Sequence, residues 1–143
     1  MSKKIFVLLS VFLGLMLLNV LAGIPQQEDL SRASPELRQI VELVKEAPVS
    51  FTVEGGVKYE VSHSNFLGLT FVKSVPYRDH VERFEIRDYD LDREPNVVFE
   101  NGKKKFEEIG GRAVVGGSNG DFWHVQLEKA VEETHKKFFP SGR

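Results

Sequence analysis

Two segments of the chain repeat apolar residues at the spacing of one helical face. The first follows Ser34, a typical helix N-cap residue, and begins with Pro35, a residue that suits the first helical position. Its apolar positions are Leu37, Ile40, Val41 and Val44. The second runs from about Asp121 to Phe139. Its apolar positions are Trp123, Leu127, Ala130, Val131, Thr134 and Phe138. The pattern therefore predicts one helix near each end of the domain.

The region between these helices is rich in β-branched and aromatic residues and is divided by turn signals, which predicts strands. The runs are Val49–Val53, Val57–Val61, Leu69–Val72, Arg83–Leu91, Asn96–Glu100 and Arg112–Val115. Asn101-Gly102 accepts the positive φ values of a type I′ turn, so two strands should pair across it with Glu100 facing Lys103. Helices at both ends of about five or six strands predict one α/β or α+β domain over residues 34–140.

The N-terminus has the pattern of a secretory signal peptide. Two lysines precede the apolar run Ile5–Leu18, and small residues lead to a cleavage site after Ala22. The alternative is an uncleaved membrane anchor, but a spanning helix needs about 20 apolar residues and this run is shorter. We expect a signal peptide at 1–22, a flexible leader at 23–33, and a mature protein that is secreted or lies in the endoplasmic reticulum lumen, without stable membrane insertion after cleavage.

The chain contains no cysteine, although an exported protein enters an oxidising compartment where small domains often depend on disulfides. Its core must be sufficient without them, and the mature length is large enough for that. The formal net charge is −2, and the basic run Lys103–Lys105 is short and followed at once by Glu107 and Glu108. This charge pattern argues against nucleic acid as a partner.

The segment Gly116–Gly120 matches the G-x-S-x-G motif between a predicted strand and a predicted helix, which is the context of a nucleophilic serine. Catalysis by Ser118 would need an Asp and a His from the single helix that follows. The motif therefore favours a glycine-rich loop with Ser118 or Asn119 near the helix cap. A weak anion site at this helix N-terminus is a further alternative.

Acidic residues alternate in the manner of a calcium loop at Asp88, Asp90, Asp92 and Glu94. The pattern fails at two diagnostic positions, since Arg93 replaces the turn glycine and Phe99 replaces the bidentate glutamate.

The four histidines are His63, His80, His124 and His135. They are isolated in sequence, and without cysteine a structural zinc site is not expected, so we predict no metal and no cofactor. Trp123 has two interpretations, a ligand-binding aromatic residue or a core anchor.

Short motifs follow one another in a definite order from about residue 57 to residue 109. In order they are Phe71–Ser74, Pro76, a strand through Phe84 and Ile86, Asp90–Pro95, Val97–Phe99, Asn101-Gly102 and Glu107–Ile109. This order resembles the thioredoxin-like domain of the small secretory-pathway selenoproteins, the family of the fifteen-kilodalton selenoprotein and selenoprotein M. The resemblance implies a thioredoxin-like mixed sheet flanked by helices.

That family carries a redox Cys-x-Sec or Cys-x-x-Sec motif after its first strand, at the start of a helix. The matching place here is Ser62-His63-Ser64, so the resemblance implies that Ser62 and Ser64 occupy degenerate redox positions. A serine hydroxyl is too weakly acidic to replace a thiolate and forms no exchangeable bond. Thiol–disulfide exchange and a catalytic residue are therefore not expected. The alternative is a plain turn that joins two strands.

Two functions are compatible with these features. The first is a non-redox, thioredoxin-like binder of folding or secreted client proteins. The second is a secreted α+β binding or inhibitory module, as in a cystatin-like arrangement of one helix followed by an antiparallel sheet. Parallel pairing between the strands near Val57 and Phe84 would support the first function, and a fully antiparallel meander on the first helix would exclude it.

Overall fold

The structure is a computed structural model that describes residues 30–140. The predicted signal peptide and most of the predicted leader lie outside these residues. The elements in chain order are α1 (Pro35–Val44), β1 (Val49–Thr52), β2 (Lys58–Ser64), β3 (Gly68–Pro76), β4 (Val81–Asp88), β5 (Val97–Glu100), β6 (Lys103–Ile109), β7 (Arg112–Val115) and α2 (Gly120–Phe138). Single 3₁₀ turns precede β2 and α2. The predicted α/β content is confirmed.

Both helices form where the apolar spacing predicts them. Ser34 caps α1, because its Oγ accepts a hydrogen bond of 3.4 Å from the Leu37 N–H, and Pro35 takes the first helical position. All four predicted apolar positions of α1 are buried. Five of the six predicted positions of α2 are buried as well, and Phe138 packs against the core while partly exposed. The helical periodicity thus identified the core-facing sides correctly.

The seven strands form one sheet in which each strand pairs with its neighbour in sequence. Every strand pair within residues 30–140 is antiparallel, so the expected mixed sheet is wrong. The strands near Val57 and Phe84 lie on opposite sides of β3 and do not pair with each other. The physical reason is that the chain between these two strands does not form a crossover. Only a short turn separates β2 from β3, so β3 folds back antiparallel on β2 and lies between β2 and β4.

The turn at Asn101-Gly102 is confirmed. Asn101 has φ 51° and Gly102 has φ 82°, the positive values that a type I′ turn requires at both central positions. Glu100 pairs with Lys103 directly beside the turn, as the sequence predicts. This hairpin joins β5 to β6 in the middle of the meander.

One face of the sheet carries the core. A row of side chains runs across five strands in register, at Val61, Phe71, Ile86, Val98 and Phe106. These residues are buried in one cluster together with the apolar sides of α1 and α2. Both helices therefore lie against the same face, rather than one on each face as a thioredoxin-like fold requires. The opposite face carries alternating residues such as Glu60, Glu85 and Lys104.

The described part of the domain begins before α1. Ala33, which the sequence assigned to the leader, is buried in the core cluster. Within residues 30–140, neither helix is long and apolar enough to cross a membrane.

Candidate functional site

Ser62 and Ser64 lie inside strand β2, not at a junction between a strand and a helix. Ser62 pairs with Thr70 and Ser64 pairs with Gly68 of β3. The Oγ of Ser64 accepts a hydrogen bond of 2.9 Å from the N–H of Leu67 and so stabilises the turn between the strands. This is the geometry of a plain hairpin turn, the alternative given above.

Ser118 lies in the 3₁₀ turn Gly117–Asn119 immediately before α2. Asn119 occupies the N-cap position of α2, but its side chain makes no capping hydrogen bond. The nearest histidine in sequence, His124, has its Nδ1 3.1 Å from a carboxylate oxygen of Glu94. Within residues 30–140 Ser118 makes no hydrogen bond to a histidine or a carboxylate, and the segment forms a loop that leads into the helix.

The alternating acidic residues do meet in space. Carboxylate oxygens of Asp88, Asp90 and Asp92 lie within 4.8 Å of one another. Asp88 is fully buried, and its two oxygens accept the backbone N–H groups of Asp92 at 3.3 Å and Arg93 at 3.0 Å. Arg93 has φ 68°, so it adopts the left-handed conformation for which a calcium loop uses glycine. Oδ1 of Asp90 is buried and has no hydrogen-bond partner in the described chain.

The three carboxylates repel one another. Burial, together with the negative charge of Asp92, raises the pKa of Asp88 to about 8. Burial also raises the pKa of Asp92 to about 6. The hydrogen bonds of Asp88 to the backbone of residues 92 and 93 stabilise the shape of the loop. The raised pKa values make the net charge of the three carboxyl groups depend on pH.

The histidines stay separate. His80 pairs with Asp79 at 2.7 Å and stacks on Tyr77, while His135 bonds Gln39 at 2.7 Å. Among residues 30–140, the only cluster with metal-ligand spacing is the aspartate group, and it contains no histidine.

A groove between the first half of α2 and strands β3 and β4 has a different character. Its volume is about 240 Å³. We call it the aromatic groove; its lining residues are Lys73, Val75, Tyr77, Phe84, Ile86, Phe122, Trp123 and Gln126. Tyr77 and Phe122 are each 52% exposed, although large aromatic side chains are usually buried in a domain of this size. The groove therefore presents exposed aromatic side chains together with polar groups beside the core.

Trp123 lies at the junction of the groove and the core. Its side chain is only 4% exposed, and it packs against Phe84 at 6.1 Å and edge-to-face against Phe122 at 4.7 Å between ring centroids. Its indole N–H is buried without a hydrogen-bond acceptor anywhere in the described residues. A buried donor without an acceptor costs about 1–3 kcal/mol. The core interpretation of Trp123 is confirmed, and the ligand-binding interpretation stays a prediction for a residue that also lines the groove.

Lys73 is the charged residue of the groove. Across the sheet it stands in register between Tyr59 of β2 and Phe84 of β4, on the core-facing side. Its Nζ donates a hydrogen bond of 3.1 Å to Oε1 of Gln126 in α2. Burial lowers the pKa of Lys73, and the positive charge of Lys129 lowers it further.

A second cavity of about 400 Å³ is also lined by Lys73. We call it the lysine cavity; its lining residues are Val53, Glu54, Gly55, Val57, Tyr59, Lys73, Lys129, Glu133 and Lys136. Burial raises the pKa of Tyr59 to about 12 on this wall. Both cavities have Lys73 in their lining and lie beside α2, and we call the two together the cleft.

The sequence analysis named Trp123 but missed Lys73, Tyr77 and Phe122. A signal for Lys73 was present, because Leu69, Phe71 and Lys73 alternate on one side of a strand and a lysine on the core-facing side is unusual. The exposed aromatic residues gave no local signal. Their significance depends on the packing of α2 across β3 and β4.

The chain matches no protein-family model, no curated protein and no solved structure. The resemblance to the lumenal selenoproteins accordingly stays a prediction.

Proposed function

We propose that the mature protein is a non-enzymatic binding module that accepts an apolar group of its ligand in the aromatic groove. The observation that carries the proposal is the pair of half-exposed aromatic side chains, Tyr77 and Phe122, on a groove that reaches Trp123 of the core. The apolar part of a bound ligand would cover Tyr77 and Phe122. A few polar groups within a largely apolar concave surface are typical of binding sites.

The proposed compartment and chemistry follow from the sequence. The N-terminal signal pattern supports an exported protein, either secreted or retained in the endoplasmic reticulum lumen. Thiol–disulfide exchange requires a thiol, and the chain has none. The scaffold we propose is an antiparallel α+β module, the second of the two functions considered above, in place of a thioredoxin-like one. A helix followed by an antiparallel meander supports that choice, whereas the long helix α2 departs from a cystatin-like arrangement.

The single tryptophan makes the proposal directly testable. Fluorescence of Trp123 should be measured while the purified mature protein is titrated with N-phenylnaphthylamine, a neutral apolar dye that accepts energy from tryptophan. We expect saturable energy transfer, because the dye would lie beside the indole ring. The variant Phe122→Ala should weaken binding at least fivefold, since it removes one of the two half-exposed aromatic side chains of the groove.

The matched control is Val125→Ala. Val125 is 57% exposed and lies on the same helix, but it does not line the aromatic groove. Its loss should leave dye binding unchanged. Absence of saturable transfer, or equal effects of the two substitutions, would refute the proposed site.

A further inference from the structure

The lysine in the core-facing row needs an explanation. The row across four strands consists of Phe51, Tyr59, Lys73 and Phe84. Three aromatic side chains in this row face the helices, and the fourth member is a cation. An ammonium group that is partly removed from water is unfavourable unless it is paired. Its hydrogen bond to Gln126 supplies an acceptor but no negative charge.

The surroundings of Lys73 are positive on the side of α2. Lys129 and Lys136 line the same cavity, with Glu133 and Glu54 as the neighbouring acidic residues. Lys129 disfavours the charged form of Lys73, and Glu133 opposes this effect. An anion that entered the lysine cavity would give Lys73 and Lys129 a shared partner. The local charge therefore favours a ligand with one negative group.

The length of the cleft limits the rest of the ligand. Phe122 and Lys129 are both cleft residues of α2, and they are about 10 Å apart along the helix axis. Lys73 and Val75 lie about 7 Å apart along β3. An anion at the lysines and an apolar group against Phe122 are therefore separated by roughly the length of a medium-length alkyl chain.

We infer that the cleft binds an elongated apolar monocarboxylate of the medium-chain fatty-acid type, with its carboxylate at Lys73 and Lys129 and its tail in the aromatic groove. This inference rests on the proposed function and specifies the ligand of the same site. A peptide is a poorer match, because its backbone amides would be buried in a groove whose polar side chains are only Lys73, Tyr77, Trp123 and Gln126. An alkyl chain brings no such groups.

The test compares decanoate with decanol as competitors of the bound dye, each below the concentration at which it forms micelles. Both have the same alkyl chain, so the comparison isolates the carboxylate. We expect decanoate to displace the dye at a concentration at least tenfold lower than decanol does. The variant Lys73→Met keeps an unbranched apolar side chain and should remove this preference, measured as the ratio of the decanol and decanoate concentrations that displace half of the dye bound to the same variant.

Two further variants make the result interpretable. Lys103→Met removes an exposed lysine at the β5–β6 turn and should keep the full preference for decanoate. Lys129→Met removes the second cation from an exposed helix position and should also reduce the preference for decanoate. This variant tests the inference even if Lys73→Met does not fold.

The outcomes separate this inference from the proposed function. Dye binding together with equal displacement by decanoate and decanol would overturn the inference and leave the binding groove intact. Retention of the preference in both lysine variants would also overturn it. Failure of the dye, of decanoate and of decanol to change Trp123 fluorescence would remove both proposals.

Discussion

Arg93 binds both carboxylate oxygens of Glu128, with distances of 3.0 Å from Nε to Oε1 and 2.6 Å from Nη2 to Oε2. The same guanidinium donates from Nη1 to Oγ of Ser34 at 3.1 Å and to Glu36 at 3.2 Å. One side chain of the loop after β4 thus connects the N-terminus of α1 to the middle of α2. Planar, bidentate geometry of this kind is available to arginine and not to lysine.

Replacement of Arg93 by lysine should destabilise the fold. The charge remains, but the two parallel hydrogen bonds to Glu128 cannot both form. Because the pair is partly exposed, we expect a loss of about 1 kcal/mol in the free energy of unfolding. Urea denaturation of the wild-type and Arg93→Lys proteins measures it.

The control is Arg83→Lys. Arg83 is exposed, and its contact with Glu85 is a single one at 3.7 Å, so its replacement should change stability by less than about 0.5 kcal/mol. Equal effects at the two positions would mean that the bidentate pair contributes nothing beyond charge.

The stability of the domain should fall as pH rises from about 4 to about 8. The pKa of Asp88 is about 8 in the folded protein, compared with an ordinary value of 3.8. Within this window the folded state holds more protons than the unfolded state, so the free energy of unfolding decreases with increasing pH. Urea denaturation at a series of pH values measures this slope.

The variant Asp92→Asn should make that slope smaller. It removes a negative neighbour that raises the pKa of Asp88, while the backbone N–H of residue 92 still donates to Asp88. The exposed residue Glu60 of β2 provides the control Glu60→Gln, which should leave the slope unchanged. A carboxyl titration of Asp88 by NMR that gave an ordinary aspartate pKa would contradict the account of this cluster.

Gly68 should tolerate no side chain. It has φ 60°, and an added Cβ would lie 2.7 Å from the carbonyl oxygen of Tyr89 and closer still to that of Asp88. We expect Gly68→Ala to cost about 3 kcal/mol or more, since the backbone strain and the overlap add. Gly102→Ala separates the two causes, because Gly102 has φ 82° but open space around it. Its cost should be about 1–2 kcal/mol, from the backbone alone.

Trp123→Phe should cost little stability for a substitution in the core. The smaller ring loses packing, but the substitution also removes a buried N–H that has no acceptor in the described chain. We expect a net change within about 1 kcal/mol, compared with about 3–5 kcal/mol for Trp123→Ala. Thermal unfolding followed by circular dichroism provides the measurement. A loss for Trp123→Phe as large as that for Trp123→Ala would show that the indole N–H is satisfied in solution.

The sequence predicted the local elements well and their assembly poorly. Periodicity identified the buried sides of both helices, and Asn101-Gly102 identified one hairpin with its register. The order of motifs suggested parallel pairing, which the structure does not contain within residues 30–140. The short segment between β2 and β3 carried the decisive information, because it allows only an antiparallel hairpin between these two strands. The hairpin places β3 between the strands near Val57 and Phe84.

The candidate site was harder to predict than the fold. Trp123 was identified from its position in an amphipathic helix, where its core interpretation is confirmed and its ligand-binding interpretation stays a prediction. Asp88, Asp90 and Asp92 were identified as alternating acidic residues, and the loop after β4 brings them together. Tyr77 and Phe122 were missed, because exposure of an aromatic side chain is a property of the packed surface.

The sequence by itself determined which sides of α1 and α2 face the core, where the β5–β6 hairpin turns, and that no thiol chemistry is available. These properties depend on side-chain spacing, on the backbone preferences of Asn and Gly, and on composition. Only the tertiary structure decided that Lys73 stands between Tyr59 and Phe84 and opposite Gln126. Strand pairing and helix packing join residues 53 positions apart, and no local pattern specifies such a contact.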